Sequence, residues 1–226
     1  MATSALLLAS CGSSGPSSLT TAGGSGATGS SGSGSSSSNQ LSALGDQLKA
    51  SKNATFKATW TTTSGSSTST VTLEQRPPKS LFASGGSTMI STGSQTYICS
   101  GPGSGASETC LLESGSNSLA GIEDIYTGQT FLSALSGWEN EVAAKILGVD
   151  VSFSNRTFAG VPSKCVQVSA NGQSQEWCVG GSGILTYSKG SGETFELTSY
   201  STSAPASDFA LPAGATIETI PGASGQ

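Results

Sequence analysis

The chain contains five cysteines, and their spacing decides whether they form disulfides or bind a metal. Cys99 and Cys110 are 11 positions apart, Cys165 and Cys178 are 13 apart, and Cys11 stands alone near the start. Each of the two pairs flanks a turn rich in glycine, serine or asparagine, as in a β-hairpin, where facing Cβ atoms come within disulfide distance. Four cysteines allow three pairings, and the spacing favours Cys99–Cys110 and Cys165–Cys178.

A zinc site built from the same four thiolates is the alternative. Zinc ligands usually occur in close pairs such as C-x2-C, and both gaps here are far wider. We therefore expect disulfides and no metal site. Because disulfides persist in oxidising compartments, they predict an exported protein in which Cys11 is the unpaired cysteine.

The composition excludes several kinds of catalytic site. The 226 residues include 14 Asp or Glu, 9 Lys or Arg and no histidine, for a net charge of −5. Without histidine, neither a Ser-His-Asp nor a Cys-His site can be built. The acidic clusters Glu139–Glu141 and Glu123–Asp124 are expected to be solvated, so we predict no enzyme and no cofactor. With so few basic residues, nucleic acid is not an expected partner.

Cys11 lies where a short apolar segment meets a tract of serine and glycine. The residues Leu8-Ala9-Ser10-Cys11 resemble the lipobox of bacterial lipoproteins. The resemblance implies that a peptidase cuts before Cys11, whose sulfur then carries a diacylglyceryl group with palmitate-type acyl chains. Residues 1–10 would be the end of a truncated signal peptide, because a complete one has a basic region and a longer apolar run. The alternative is a disordered N-terminus with a chance cysteine.

The tract that follows, residues 11–39, is almost entirely serine, glycine, threonine and alanine. Such a segment cannot bury enough apolar surface to offset the entropy of ordering it. It is expected to form a flexible tether with a mean reach of about 30 Å. Together with a lipidated Cys11, the tether predicts attachment to the extracytoplasmic face of the cell membrane. The sequence contains no apolar run of the ~18 residues that a transmembrane helix needs.

The elements that must position the cysteines follow from hydrophobic periodicity. Leu41, Leu44 and Leu48 are spaced as on one side of a helix. A second helix is predicted over residues 131–148, with a weaker helical segment at 119–126. Between and after these helices, short segments alternate apolar and polar residues and are separated by turns rich in glycine and serine. The predicted fold class is α+β, with one antiparallel sheet and helices gathered on one face.

Alternation along the C-terminal strands also predicts which residues share a face of the sheet. Eight apolar residues are expected on one side: Val166, Val168, Trp177, Val179, Leu185, Tyr187, Phe195 and Leu197. Cys165 and Cys178 alternate with their neighbours in that set, so both sulfurs are expected on the opposite, outer face. The closing segment 207–214 is predicted to be a coil that packs Phe209 and Leu211 against the domain.

The order of these elements is similar to that of the LolA/LppX-like family of exported bacterial proteins. The similarity covers about residues 40–215 and rests on the layout and on two segments, "EQRPPK" at 74–79 and "DFALPAG" at 208–214. It implies that residues 40–220 form a curved antiparallel sheet, a half-barrel with helices covering one face, around an apolar cavity. In actinobacterial lipoproteins of this kind, the cavity holds a lipid or glycolipid.

If the cavity is open, the resemblance and the strand pattern together indicate its lining. The expected ligand-lining residues are Phe56, Trp60, Val71, Leu73, Trp138, Val166, Val168, Trp177 and Phe195. The alternative is that the same residues form a filled core, and that the protein is a structural or interaction module of the cell surface. In both cases we expect a monomer held at the membrane by its lipid.

Overall fold

Twelve strands pair into a single open, curved sheet in the part of the chain that the computed structural model describes, residues 37–101, 108–113, 118–127 and 150–219. Going across the sheet, the order is β12-β6-β5-β4-β3-β2-β1-β11-β10-β9-β8-β7. All neighbouring strands are antiparallel except β12 and β6, which are parallel. The predicted α+β class with a half-barrel sheet is confirmed.

The strands and helices have the following bounds. The strands are β1 (Phe56–Ser64), β2 (Ser67–Arg76), β3 (Lys79–Ser84), β4 (Ser87–Ser91), β5 (Thr96–Ser100), β6 (Thr109–Glu113), β7 (Asp150–Phe158), β8 (Val161–Ala170), β9 (Gln173–Gly180), β10 (Leu185–Gly190), β11 (Glu193–Ser201) and β12 (Thr216–Thr219). The helices are α1 (Ser37–Ala50) and α2 (Ser118–Tyr126), and short 3-10 turns cover Ser51–Asn53 and Ala206–Phe209.

Tight turns explain why so many consecutive strands pair with each other. At Asn171 and Gly172, between β8 and β9, both φ angles are positive, at 53° and 76°. Two successive positive φ angles are the signature of a two-residue turn whose twist matches that of the flanking strands. Asn and Gly adopt this region of φ most readily, so the sequence itself dictates this hairpin.

Both helices pack on the same face of the sheet, which we call the helix face. Leu48 of α1 packs against Val166 of β8, and Tyr126 of α2 contacts the rings of Trp60 and Phe195. Cross-strand pairing connects Val166 to Phe195 through facing residues of β9 and β10. The helix face therefore runs continuously from β8 to β1.

A segment near the C-terminus, residues 202–219, crosses the opposite face, and we call it the strap. Phe209 is buried, and Leu211 and Ala215 pack against a cluster that contains Ile90 and Tyr97. The strap ends in β12, which pairs in parallel with β6. The predicted packing of Phe209 and Leu211 onto the domain is confirmed.

The structure contains both predicted disulfides, Cys99–Cys110 and Cys165–Cys178, with Cα–Cα distances of 4.0 and 3.9 Å. As predicted, Cys165 and Cys178 lie on the face opposite Val166. The expectation that this pair faces outward was wrong, because both residues are buried, with 1% and 0% of their surface exposed. They belong to the main core cluster, in which other apolar residues pack around them.

One residue of the predicted eight-residue face is on the other side. Tyr187 pairs with Cys178, whereas Leu185 pairs with Val179, because the register shifts between Leu185 and Tyr187. This β-bulge turns Tyr187 away from the helix face, and its ring stacks on Phe158 at 5.0 Å. The other seven residues lie on the helix face, as the cross-strand pairs show.

The helices agree with the sequence in part. The leucine spacing predicted α1, which begins at Ser37, inside the residues assigned to the tether. The weak helical segment at 119–126 forms α2. The helix expected at 131–148 and the segment before residue 37, including Cys11, lie outside the described residues. Within those residues, no helix is long and apolar enough to cross a membrane.

Candidate functional site

An aromatic cluster joins α2 to the centre of the sheet. The ring of Tyr126 lies 5.1 Å from Trp60, 5.6 Å from Phe82 and 5.3 Å from Phe195, measured between centroids. Trp60 and Phe195 also stack on each other at 5.5 Å. These separations are those of favourable aromatic pairs, so α2 is held against the helix face by three rings.

The indole of Trp60 is fixed by a hydrogen bond as well as by packing. Its side chain is completely buried, and Nε1 donates to the carbonyl oxygen of Leu185 at 2.7 Å. A buried donor without a partner would cost free energy, and this bond removes that cost. It also ties β1 to the start of β10, which borders the space described next.

Beside this cluster lies a hollow of about 370 Å³ between α2 and strands β1, β9, β10 and β11. Its apolar lining comes from Ile125, Tyr126, Trp177, Leu185 and Phe195, and its polar lining from Thr62, Gln175, Ser188, Lys189, Gly190, Ser191, Glu193 and Thr194. A hollow of this size, with aromatic walls and a polar border, has the character of a small-molecule site. We call it the helix-face hollow.

The structure places the predicted lining residues in two groups. Trp177 and Phe195 line the helix-face hollow, and Trp60 stacks directly behind Phe195. Phe56, Val71, Leu73 and Val166 are buried in the core, and Val168 is half-buried beside α1. Trp138 lies outside the described residues.

Sequence analysis missed the polar lining and three apolar lining residues: Ile125, Tyr126 and Leu185. The helical segment at 119–126 was predicted, and the spacing of Leu119, Ile122 and Tyr126 was the available signal that one side of it faces the sheet. Leu119 is fully buried, which agrees with that spacing. No local pattern indicates where along the sheet this short helix lies.

Burial shifts the protonation equilibria of α2 toward the neutral forms. Desolvation raises the pKa of the Tyr126 hydroxyl. It also raises the pKa of the Glu123 carboxyl, a shift that a hydrogen bond with Ser80 partly opposes. The wall that α2 contributes to the hollow therefore favours an uncharged, apolar occupant. In the described part of the chain, Lys189 and Glu193 are the two charged residues of the lining.

Comparison with known proteins finds similarity in part of the fold. No known protein family matches the sequence, and no curated protein is similar to it. The crystal structure of MucB matches with a TM-score of 0.48 at 18% identity, over 80% of this chain and 66% of that chain. The MucA/MucB complex of Pseudomonas aeruginosa matches with a TM-score of 0.43 at 15% identity, over 80% of this chain and 64% of that one.

A third structure, an uncharacterized conserved protein from Thermus thermophilus, matches with a TM-score of 0.46 at 6% identity, over 80% of this chain and 99% of that chain. This chain spans less than two thirds of the MucB chains it matches. These partial similarities assign neither a family nor a function to this chain.

The zinc alternative has a counterpart in the structure, where Cys165, Cys178 and Glu176 lie close together. The two sulfurs are bonded to each other, and a disulfide offers no thiolate to a metal. Glu176 is paired with Arg156 at 3.0 Å. The donor set of this cluster does not fit a zinc ion.

Proposed function

We propose that this chain is an exported lipoprotein that holds the apolar part of a lipid or glycolipid in the helix-face hollow. The observation that carries the proposal is the hollow itself, about 370 Å³ of space bordered by Tyr126, Trp177, Leu185 and Phe195. Apolar surface removed from water contributes about 25 cal/mol per Å². An acyl chain packed against these side chains would gain this free energy without any charged contact.

The polar border gives the site a place for the other end of such a ligand. Ser188, Lys189, Glu193 and Thr194 lie on the strands that form one side of the hollow. Their hydroxyl and charged groups suit a sugar or a polar headgroup, because a few polar groups around an apolar pocket orient a ligand. This arrangement supports a ligand that is apolar at one end and polar at the other.

The membrane anchor is part of the same proposal and rests on the lipobox-like residues Leu8 to Cys11. A diacylglyceryl group supplies two acyl chains, which is enough for durable membrane attachment where one chain is marginal. The serine and glycine tract would then hold the hollow within reach of the membrane that contains its ligand. The site would thus act on the extracytoplasmic side of the cell membrane, with the chain as a monomer.

The test compares two neighbouring threonines of β1. Thr62 lines the hollow, and Thr61 points to the opposite face, because side chains alternate along a strand. Both are half-buried. In the full chain, exported behind a complete signal peptide, Thr62→Trp should fill the hollow, whereas Thr61→Trp should leave it open.

The readout is organic extraction followed by mass spectrometry of the lipid that is not covalently bound. We expect near one lipid per protein for the wild type and for Thr61→Trp, and about a tenfold loss for Thr62→Trp. Intact-protein mass reports the covalent lipid separately. Wild-type protein that stays empty after incubation with envelope lipids would contradict the proposal and favour a surface interaction module with no ligand.

A further inference from the structure

We infer that the outer edge of β7 and the adjacent helix α1 form a second binding site, a groove for an extended, acidic peptide segment of a partner protein. The groove is separate from the helix-face hollow, since the two share no lining residue. The inference rests on three features of the described residues: an edge strand that pairs on one side only, a groove beside it, and an exposed lysine inside that groove.

The first feature is the edge. β7 is the last strand of the sheet, and within the described part of the chain it pairs only with β8. A strand directs the N–H and C=O groups of alternate residues to opposite sides, so half of these groups in β7 point away from β8. Ser152 and Ser154 are exposed, so the first half of β7 reaches the surface of the described domain.

Among the described residues, the edge of β7 has few of the usual protections against a further strand. It is nine residues long, it contains no proline, and its pairing from Asp150 to Phe158 continues without a register shift or bulge. Short length, proline, bulges and charged side chains are the devices that block an edge. Of these β7 has only charged residues, Asp150 at its start and Arg156, which is paired with Glu176 of β9. By contrast, β12 at the other end of the sheet has only four residues, all of them exposed.

The second feature is a groove of about 470 Å³ between α1 and β7. Leu44 of α1 and Phe153 of β7 supply its apolar part, and Asn39, Asn155 and Lys164 supply polar groups. Leu44 is buried and Phe153 is half-buried in the cluster under α1. A peptide paired with β7 would direct every second side chain into this groove, which is how strand addition to a sheet edge achieves specificity.

The third feature is charge. Lys164 is exposed. Among the described residues it is the one charged residue that lines the groove, and the salt bridges found among them do not involve it. It pairs across the strands with Asn155, two residues along the same face from Phe153. A partner strand should therefore place an apolar side chain opposite Phe153 and a carboxylate two residues away, near Lys164.

A second copy of this chain does not meet that requirement through its own β7. The β7 residues on the groove side are Val151, Phe153, Asn155 and Thr157, and none of them carries a carboxylate. Two copies paired through β7 would leave Lys164 without a counter-charge. Charge complementarity therefore favours a different, acidic segment as the occupant.

The test uses a defined probe with the full-length protein. The probe is a fluorescein-labelled peptide of eight residues. Threonine occupies every second position, and the positions between hold leucine, leucine, glutamate and serine in that order. A second probe has lysine in place of the glutamate, and a third is methylated on alternate backbone nitrogens. Fluorescence anisotropy measures affinity, and hydrogen exchange of residues 150–158 measures whether the edge of β7 is covered.

We expect the wild type to bind the glutamate probe about tenfold more tightly than the lysine probe, because the exchange replaces attraction by repulsion. The variant Lys164→Glu should reverse this preference, and Lys52→Glu, at an exposed lysine in the turn after α1, should not change it. Methylation should abolish binding when the methyl groups face β7, since they remove the donors of the new ladder.

Three results would overturn the inference. Equal affinity for the glutamate and lysine probes would remove the role of Lys164. Unchanged exchange of residues 150–158 in the presence of saturating probe would place the peptide elsewhere. A dimer in sedimentation velocity with residues 150–158 protected in the absence of probe would show a second copy as the occupant. None of these results depends on whether the helix-face hollow binds lipid.

Discussion

At the scale of single residues, Lys57 links the sheet to the strap. Its Nζ lies 2.6 Å from Oε1 of Glu74 and 3.1 Å from Oδ2 of Asp208. The Glu74 side chain is only 4% exposed, whereas that of Lys57 is 43% exposed. Burial raises the pKa of the Glu74 carboxyl, the hydrogen bond to Glu74 raises the pKa of Lys57, and Lys57 lowers the pKa of Asp208.

Removing Lys57 should leave Glu74 buried without a counter-ion. We expect Lys57→Met to lower the free energy of unfolding by about 1–2 kcal/mol near neutral pH, which is less than for a fully buried ion pair because Lys57 itself is partly exposed to solvent. A carboxyl whose folded pKa is raised binds its proton more tightly in the folded state, so its stabilising effect is present at low pH and is lost as the pH rises through that pKa. The deficit of Lys57→Met should therefore shrink between about pH 7 and about pH 5.

Urea unfolding at the two pH values measures this dependence. The double variant Lys57→Met/Glu74→Gln should recover most of the loss at neutral pH, because the buried group is then neutral. Lys52→Met, at an exposed lysine, should change stability by less than about 0.5 kcal/mol. An equal deficit for Lys57→Met at both pH values would contradict the assignment to Glu74.

The same residues show what a local pattern can predict. Alternation along β1 and β2 puts Lys57 and Glu74 on the face opposite Trp60, because the period of two is a property of the strand itself. Alternation did not predict that Glu74 is buried. Its environment includes Lys57 and also Asp208, which lies far along the sequence. Nor did alternation predict that Tyr187 changes face, because that depends on a bulge whose position the cross-strand pairing decides.

At the scale of elements, one aromatic side chain of the strap is buried. Phe209 is 2% exposed in the 3-10 turn Ala206–Phe209, whereas Ile217 in β12 is 51% exposed. We expect Phe209→Ala to lower the free energy of unfolding by about 3–5 kcal/mol, the cost of deleting a buried phenylalanine. Ile217→Ala is the matched control in the same segment and should cost less than about 0.5 kcal/mol.

Denaturant unfolding together with limited proteolysis distinguishes loss of the strap from global unfolding. If Phe209 fastens the strap, the first cleavage sites of Phe209→Ala should lie within residues 202–219 at denaturant concentrations where the sheet is intact. Wild-type stability of Phe209→Ala would mean that the pairing of β12 with β6 is sufficient to hold the strap. Equal losses for both variants would mean that exposed and buried positions of the strap contribute alike.

Elements with local causes were predicted better than elements with distant ones. The hairpins follow from turn residues such as Asn171 and Gly172, whose backbone preference acts within a few positions. β12 lies beyond the segment 207–214 that was predicted to be coil and was not predicted at all, because parallel pairing with β6 depends on a long connection that no local pattern encodes. The helix-face hollow also depends on contacts between residues distant in sequence. Trp177 and Phe195 were expected in its lining, but the position of α2 over them could not be predicted from local sequence.

At the scale of the whole molecule, the sheet separates the proposed activities. The helix face has the hollow near β1 and the peptide groove near β7, on opposite sides of the cluster in which Leu48 packs on Val166. The strap and both disulfides lie on the other face. The disulfides and the strap thus stabilise the sheet from one face, and both proposed binding sites lie on the other.

The proposed membrane anchor makes a prediction for the whole chain that is independent of both sites. We expect Cys11→Ser, exported behind a complete signal peptide that retains Leu8 to Ser10, to move the protein from the membrane fraction to the soluble fraction, because no diacylglyceryl group can then form. Ser13→Ala, in the same tract, should stay with the membrane.

The amount of extractable lipid per folded molecule should be the same in both variants, because the lining of the helix-face hollow lies within residues 62–195. Intact mass should show the diacylglyceryl adduct in Ser13→Ala alone. Membrane association of Cys11→Ser at the wild-type level would exclude Cys11 as the anchor, and loss of extractable lipid in this variant would mean that the anchor, and not the hollow, supplies the bound lipid.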